Sequence, residues 1–190
     1  MNKNTFWEIM ERAKAADTEI MFENLMKEMT RLQEKDVQKF RAYLGAYTEI
    51  VNETIWIDMA CKVINGYVSD DTGLYFSLWL ISLGEAIVLK ALQDPDSLSA
   101  LPEIPFGDAD FEMLMAVGFD EDEADSVEES IEALAEDITK EIIPSIQYKD
   151  GEKYGHYKSF EDGMADIPNI LPKLIERAER DGFDWKHYIS

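Results

Sequence analysis

Asp70 and Asp71 are adjacent carboxylates, and a close carboxyl pair can share a proton or hold a divalent cation. They stand between two strongly apolar stretches, so a site built on them could take Tyr75 or Trp79 as an aromatic wall. The same pair also suits the start of a helix, where Ser69 can cap and negative charge is favourable; this plainer account is the preferred one. Other chemistries find little footing. The single cysteine, Cys61, sits inside an apolar helical run and reads as a buried, inert thiol, and there are only two histidines, His156 and His187. The chain has no Gly-x-Ser-x-Gly elbow, no His-Glu-x-x-His and no phosphate-cradling glycine loop. Asp108-Ala109-Asp110 and Asp120-Glu121-Asp122 resemble the opening of a calcium loop, but neither run has the glycine that such a loop needs at its sixth position. No metal-ligand set, no cofactor and no assigned catalytic residue is expected.

Charge supplies the other candidate site. Forty Asp and Glu face 18 Lys and Arg, a net charge of −22 over 190 residues, and the sequence pI is about 4.3. Such a chain repels phosphate backbones and anionic headgroups, so neither nucleic acid nor a membrane surface is an expected partner. Fourteen of the acids lie between Asp108 and Glu141, where Lys140 is the one base. Within that run Glu128, Glu129, Glu132 and Glu136 recur at helical spacing, as candidate contacts for a basic protein partner. A solvated helix face accounts for the same run. The one locally basic stretch, with Tyr148, Lys149, Lys153, Tyr154, His156, Tyr157 and Lys158, is expected to pair with the chain's own acid.

These residues must be positioned by a core, and 46% hydrophobic and 11% aromatic residues suffice for one, which excludes a disordered acidic tail. One cysteine excludes an intramolecular disulfide and any cysteine zinc centre. No window of about 18 apolar residues occurs, and Met1 to Glu8 lacks a signal peptide's apolar run, so a soluble, cytoplasmic protein is expected. Helical periodicity predicts a first helix near 5–15 opened by Thr5 and Glu8, a second capped by Asp17 or Thr18, and a third opened by Asp36. A buried helix over 54–64 ends at Asn65-Gly66, which suits a left-handed cap. The most hydrophobic helix is predicted over 72–92, followed by a turn from Pro95 to Leu101. A short helix carrying Phe111, Leu114 and Met115, an acidic helix from Asp125 or Ser126 to Pro144, and a last helix near 169–181 complete the pattern, with Phe183 and Trp185 as a clasp. Asp150-Gly151 between short polar-aromatic flanks signals a hairpin. The expected fold is therefore all-α, a compact multi-helix bundle of about seven helices with a short β-hairpin near 146–154. It forms one domain over 1–190: a helical body at 5–115, then the acidic helix, hairpin and C-terminal helix over 116–190. The proline-bearing loop at 101–107 is the best candidate seam.

The run from Ile64 through Asn65-Gly66-Tyr67-Val68-Ser69-Asp70-Asp71-Thr72-Gly73-Leu74-Tyr75-Phe76, then Trp79-Leu80-Ile81 and Gly84, then Ala91 to Leu98 with Asp94-Pro95-Asp96, resembles the bacterial family called "domain of unknown function 4240". Phe6-Trp7-Glu8-Ile9 and the Asp36 to Phe40 helix start fit it as well. The resemblance covers roughly residues 5 to 115, and it departs at Tyr67-Val68, where a small residue and Cys are the commoner pair. The family's activity is unassigned, so the resemblance carries over no catalytic residue. It implies that Asn65, Gly66, Ser69, Asp70, Asp71, Gly73, Tyr75, Phe76 and Trp79 form a shared feature, and that the acidic segment and the tail are elaborations beyond the shared part.

Three functions follow as expectations. The first is a non-enzymatic acidic protein-binding module, of the inhibitor or immunity type, for a basic partner. The second is a carboxylate- or metal-dependent enzyme centred on Asp70 and Asp71. The third is a nucleic-acid mimic, which needs a regular, elongated array of acids that the Asp108 to Glu141 spacing does not evidently supply.

Overall fold

A computed structural model describes residues 1–120, 124–146 and 157–186. Among the described residues there are helices and turns but no strand, so the fold is all-α. Eight helices among the described residues have nine residues or more: α1 (Lys3–Ala13), α2 (Thr18–Met29), α3 (Glu34–Asn52), α4 (Ile55–Asn65), α5 (Asp70–Ser82), α6 (Glu85–Gln93), α7 (Asp125–Ile142) and α8 (Pro172–Arg180). The anticipated hairpin over 146–154 lies, apart from Ile146, outside the described residues, as do His156 and His187.

Local chemistry sets the boundaries. α1 begins two residues earlier than the Thr5 signal indicates, because Asn2 is the cap and its side chain accepts the Thr5 N–H at 3.0 Å. Asp17 caps α2 through the Ile20 N–H. Asp36 does not open α3; it sits in the first turn, and the helix starts after Gln33. α4 ends at Gly66, whose φ of 84° is the left-handed conformation a residue without Cβ adopts cheaply.

The single helix predicted over 72–92 is two helices. Gly84, at φ 104°, breaks it after Ser82 and Leu83, and the Ser82 hydroxyl bonds back to the Trp79 carbonyl at 2.6 Å. Because α5 is apolar nearly all round, its sequence carries no change of phase to mark the break. The last helix is likewise shorter than predicted. Leu171 precedes Pro172 and is pushed out of the helical region (φ −119°, ψ 45°), which separates the one-turn helix Ile167–Ile170 from α8.

The buried side chains of all eight helices belong to one contiguous apolar cluster. α4 and α5 supply its centre, with Ile57, Met59, Val63, Phe76, Leu80 and Ile81 at most 1% exposed. α7 lies along α3, and Gly45 faces Ala135 across the contact, where a Cβ at position 45 would sit in ordinary van der Waals contact at 3.6 Å. The short turn Glu112–Ala116 buries Phe111 and Leu114 against the body, whereas Met115, expected on the same stripe, is 53% exposed. The 101–107 loop, the expected seam, is tied down on both sides. Arg177 donates to the carbonyls of Ser99, Leu101 and Pro102, and the Gly107 N–H donates to the Ile64 carbonyl at 2.8 Å. Phe183 stacks on Phe106 with centroids 5.4 Å apart, and Trp185 is buried.

Candidate functional site

The Asn65 to Trp79 residues are best followed in chain order. Asn65 is buried, and its amide grips the loop before the 112–116 turn with both ends: Nδ2 donates to the Ala109 carbonyl at 3.1 Å, and Oδ1 accepts the Ala109 N–H at 2.9 Å. Gly66 makes the turn. Ser69 caps α5 by accepting the Thr72 N–H at 3.2 Å. Asp70 and Asp71 are exposed in the first turn of α5, where two negative charges favour the helix N-terminus. The Tyr75 hydroxyl donates to Glu112 at 3.0 Å, and that carboxylate holds the phenol above its ordinary pKa. Phe76 is wholly buried and packs on Trp79. Asn65, Gly66 and Ser69 make the turn from α4 into α5 and its clamp on Ala109, and the set does not converge on one cavity.

A wider cleft lies elsewhere. It encloses about 780 Å³ between the end of α1, the end of α5, the 102–105 loop and α8, and Trp79 forms part of its wall with Met21, Leu83 and Ile104. Its cations are already engaged. Lys14 donates to the Leu83 carbonyl at 2.7 Å, and Arg177 spends its guanidinium on three carbonyls and Asp181. Neither Asp70 nor Asp71 lines this cleft. Cys61 is fully buried, and burial pushes its thiol well above the usual range. Among the described residues no group of three or more His, Cys, Asp or Glu is arranged to hold a metal ion.

Two of the α7 glutamates, Glu128 and Glu132, border a second concave surface. A groove of about 380 Å³ runs between α3, α5, α7 and the 115–119 segment. Leu44, Leu74, Leu78, Val117 and Ile131 form its floor, while Glu128 and Glu132 stand on its rim. Glu128 forms an ion pair with Arg41, whose side chain is only 9% exposed. The Arg41 guanidinium also lies over the Phe119 ring, 5.5 Å from its centroid. Glu129, Glu132 and Glu136 are exposed. Lys140, near the end of α7, reaches Glu136 at 3.8 Å and Asp137 at 3.3 Å, and among the described residues no ion pair joins Glu129 or Glu132 to a base.

Sequence reasoning missed three groups that matter. Phe119 and Met115 are 55% and 53% exposed at the mouth of the groove; an apolar pair inside an acidic run was the available signal. Asp96 is 7% exposed, and its Oδ1 accepts the Lys173 and Leu174 N–H groups at 3.0 and 2.8 Å, capping α8 from a turn far back in the sequence. Asp58, on α4, is half-buried against the first turns of α5. A Cβ at position 73 would lie 3.3 Å from the Asp58 Oδ1 and 3.5 Å from the Asn52 Oδ1. Burial pushes the Asp58 carboxyl up to about 6, with Glu53 and Glu161 adding to the rise. No spacing in the sequence announces either carboxylate, because each is defined by residues distant along the chain.

A family model described as "Protein of unknown function (DUF4240)" matches residues 1–138. The match reaches into α7, so the acidic helix is largely part of the shared region and not, as expected from the sequence, an elaboration beyond it. Comparison with curated proteins and with solved structures finds no match.

Proposed function

The chain belongs to the DUF4240 family, whose description assigns no activity, and from that premise we propose that it is a non-enzymatic binding module that engages a basic protein partner through the exposed acidic face of α7. The observation that carries the reading is the state of those carboxylates. Glu129 and Glu132 are exposed, and among the described residues no base pairs with either, while Lys140 is the one cation on the helix. Among the described residues, self-pairing engages Glu128 through Arg41, and Glu136 and Asp137 through Lys140. A patch of this kind raises the association rate for a cationic partner and selects against acidic ones. An inhibitor or immunity-type role is the form such a module takes when the partner is itself a basic enzyme. A cytoplasmic setting belongs to the same proposal and is in keeping with the free thiol of Cys61.

The test is retention of a basic protein from the host's lysate by the immobilised chain, at low and at moderate salt. The triple variant Glu129→Gln, Glu132→Gln, Glu136→Gln should lose the partner while its melting temperature is preserved. Glu128 is left intact so that Arg41 keeps its counter-charge. Undiminished retention by the triple variant would remove the α7 face from the proposal.

A further inference from the structure

The acidic face of α7 borders an apolar groove, and the two together specify more than a cation. The groove floor is built of aliphatic side chains from three helices, and its mouth carries Met115 and Phe119, each more than half exposed. In a chain of net charge −22, open apolar side chains beside a cavity mark a contact surface in preference to mere solvent exposure. Their placement is built in. Gly118 takes φ 76°, and a Cβ there would meet Val37 Cγ1 at 2.8 Å, so the backbone is pressed against α3 just before it turns Phe119 outward over Arg41. Methionine adapts its shape to whatever lies on it, which suits Met115 to a contact surface. Glu128 and Glu132 line the groove from α7, and Glu129 and Glu136 are exposed on the same helix.

We infer that this groove seats an amphipathic basic helix of the partner protein, its apolar side chains at i, i+3 or i+4, and i+7 on the aliphatic floor and its Lys or Arg side chains against the α7 glutamates. The inference rests on the basic-partner reading and adds the site and the secondary structure of the ligand. Charge complementarity decides between occupants. A second copy of this chain would bring two acidic α7 helices together, whereas a basic helix neutralises them. Helix-in-groove recognition supplies the geometry, with a few apolar anchors carrying affinity and flanking charges setting orientation.

The probe is a labelled Leu/Lys peptide of about 18 residues, matched in length to α7, with leucine at helical spacing, alongside a scrambled peptide of identical composition. Binding is read by fluorescence anisotropy. The helical peptide should bind at least tenfold more tightly than the scrambled one, and Met115→Ala and Phe119→Ala should each abolish that advantage while leaving the scrambled peptide's affinity unchanged. Both substitutions fall on exposed side chains, and unaltered melting curves confirm that the fold is retained. Equal binding of the two peptides would overturn the groove assignment and leave the basic-partner reading standing. Binding of neither peptide would overturn both. A dimer in light scattering that Phe119→Ala dissociates would make a second copy the occupant and would also overturn the inference.

Discussion

Asp58→Asn should stabilise this protein at neutral pH, and the gain should disappear in acid. The Asp58 carboxyl is half-buried against α5, and no hydrogen bond or ion pair joins it to another group among the described residues. Burial, then Glu53 and Glu161, raise it from the ordinary 3.8 to about 6. The folded state therefore holds this proton more tightly than the unfolded state does. Stability contributed by the protonated carboxyl is fully present below about 3.8 and is lost as pH rises through about 6. At about 1.4 kcal/mol per tenfold, ionisation costs the fold up to about 3 kcal/mol above pH 7, and about half of that once water reaching the partly open carboxylate screens it. The amide has nearly the same shape and carries no charge. Urea unfolding of the two proteins at about pH 7.5, 5.5 and 4 should give a difference of about 1.5–3 kcal/mol at the highest pH, shrinking towards zero at the lowest. A neutral or destabilising effect at pH 7.5, or a gain of the same size at every pH, would refute the reasoning.

Two further substitutions probe the scaffold. Asn65→Ala removes both hydrogen bonds to the buried backbone of Ala109 and leaves an N–H and a carbonyl without partners; a loss of about 2–4 kcal/mol in urea unfolding is expected, and less than about 0.5 kcal/mol would contradict the clamp. Asp96→Ala uncaps α8, costing about 1–3 kcal/mol, and amide exchange should accelerate at Leu174 before it accelerates in α4 or α5; uniform exchange throughout would argue against a local cap.

Much of the fold was legible because amphipathic periodicity and punctuation act locally. Met21, Leu25 and Met29 face the core as their spacing indicates, Asn65-Gly66 closes α4 in a left-handed turn, and Pro144 follows the end of α7. The errors arise where periodicity is silent. Around Leu83-Gly84 the chain is apolar on every side, so no change of phase marks the split between α5 and α6. In the candidate site, the α7 glutamates were legible as a helical stripe, whereas the groove beside them was not. Its floor draws on Leu44, Leu74 and Ile131, residues whose spacing says only that each belongs to a core. Met115 illustrates the limit most clearly. Its position on the stripe with Phe111 and Leu114 implied burial, but a tight three-residue-per-turn helix rotates it outward, to 53% exposure.

The Asp96 cap bears on the order in which the protein comes together during synthesis. α8 has nine residues, and Leu171 at its entry position offers no side-chain cap of its own. A helix that short is marginal in isolation. The carboxylate that completes it belongs to the turn after α6 and leaves the ribosome well before Pro172 does. Asp96 Oδ1 accepts two N–H groups of the first turn of α8, so the start of that helix is set by a residue made 77 positions before Lys173.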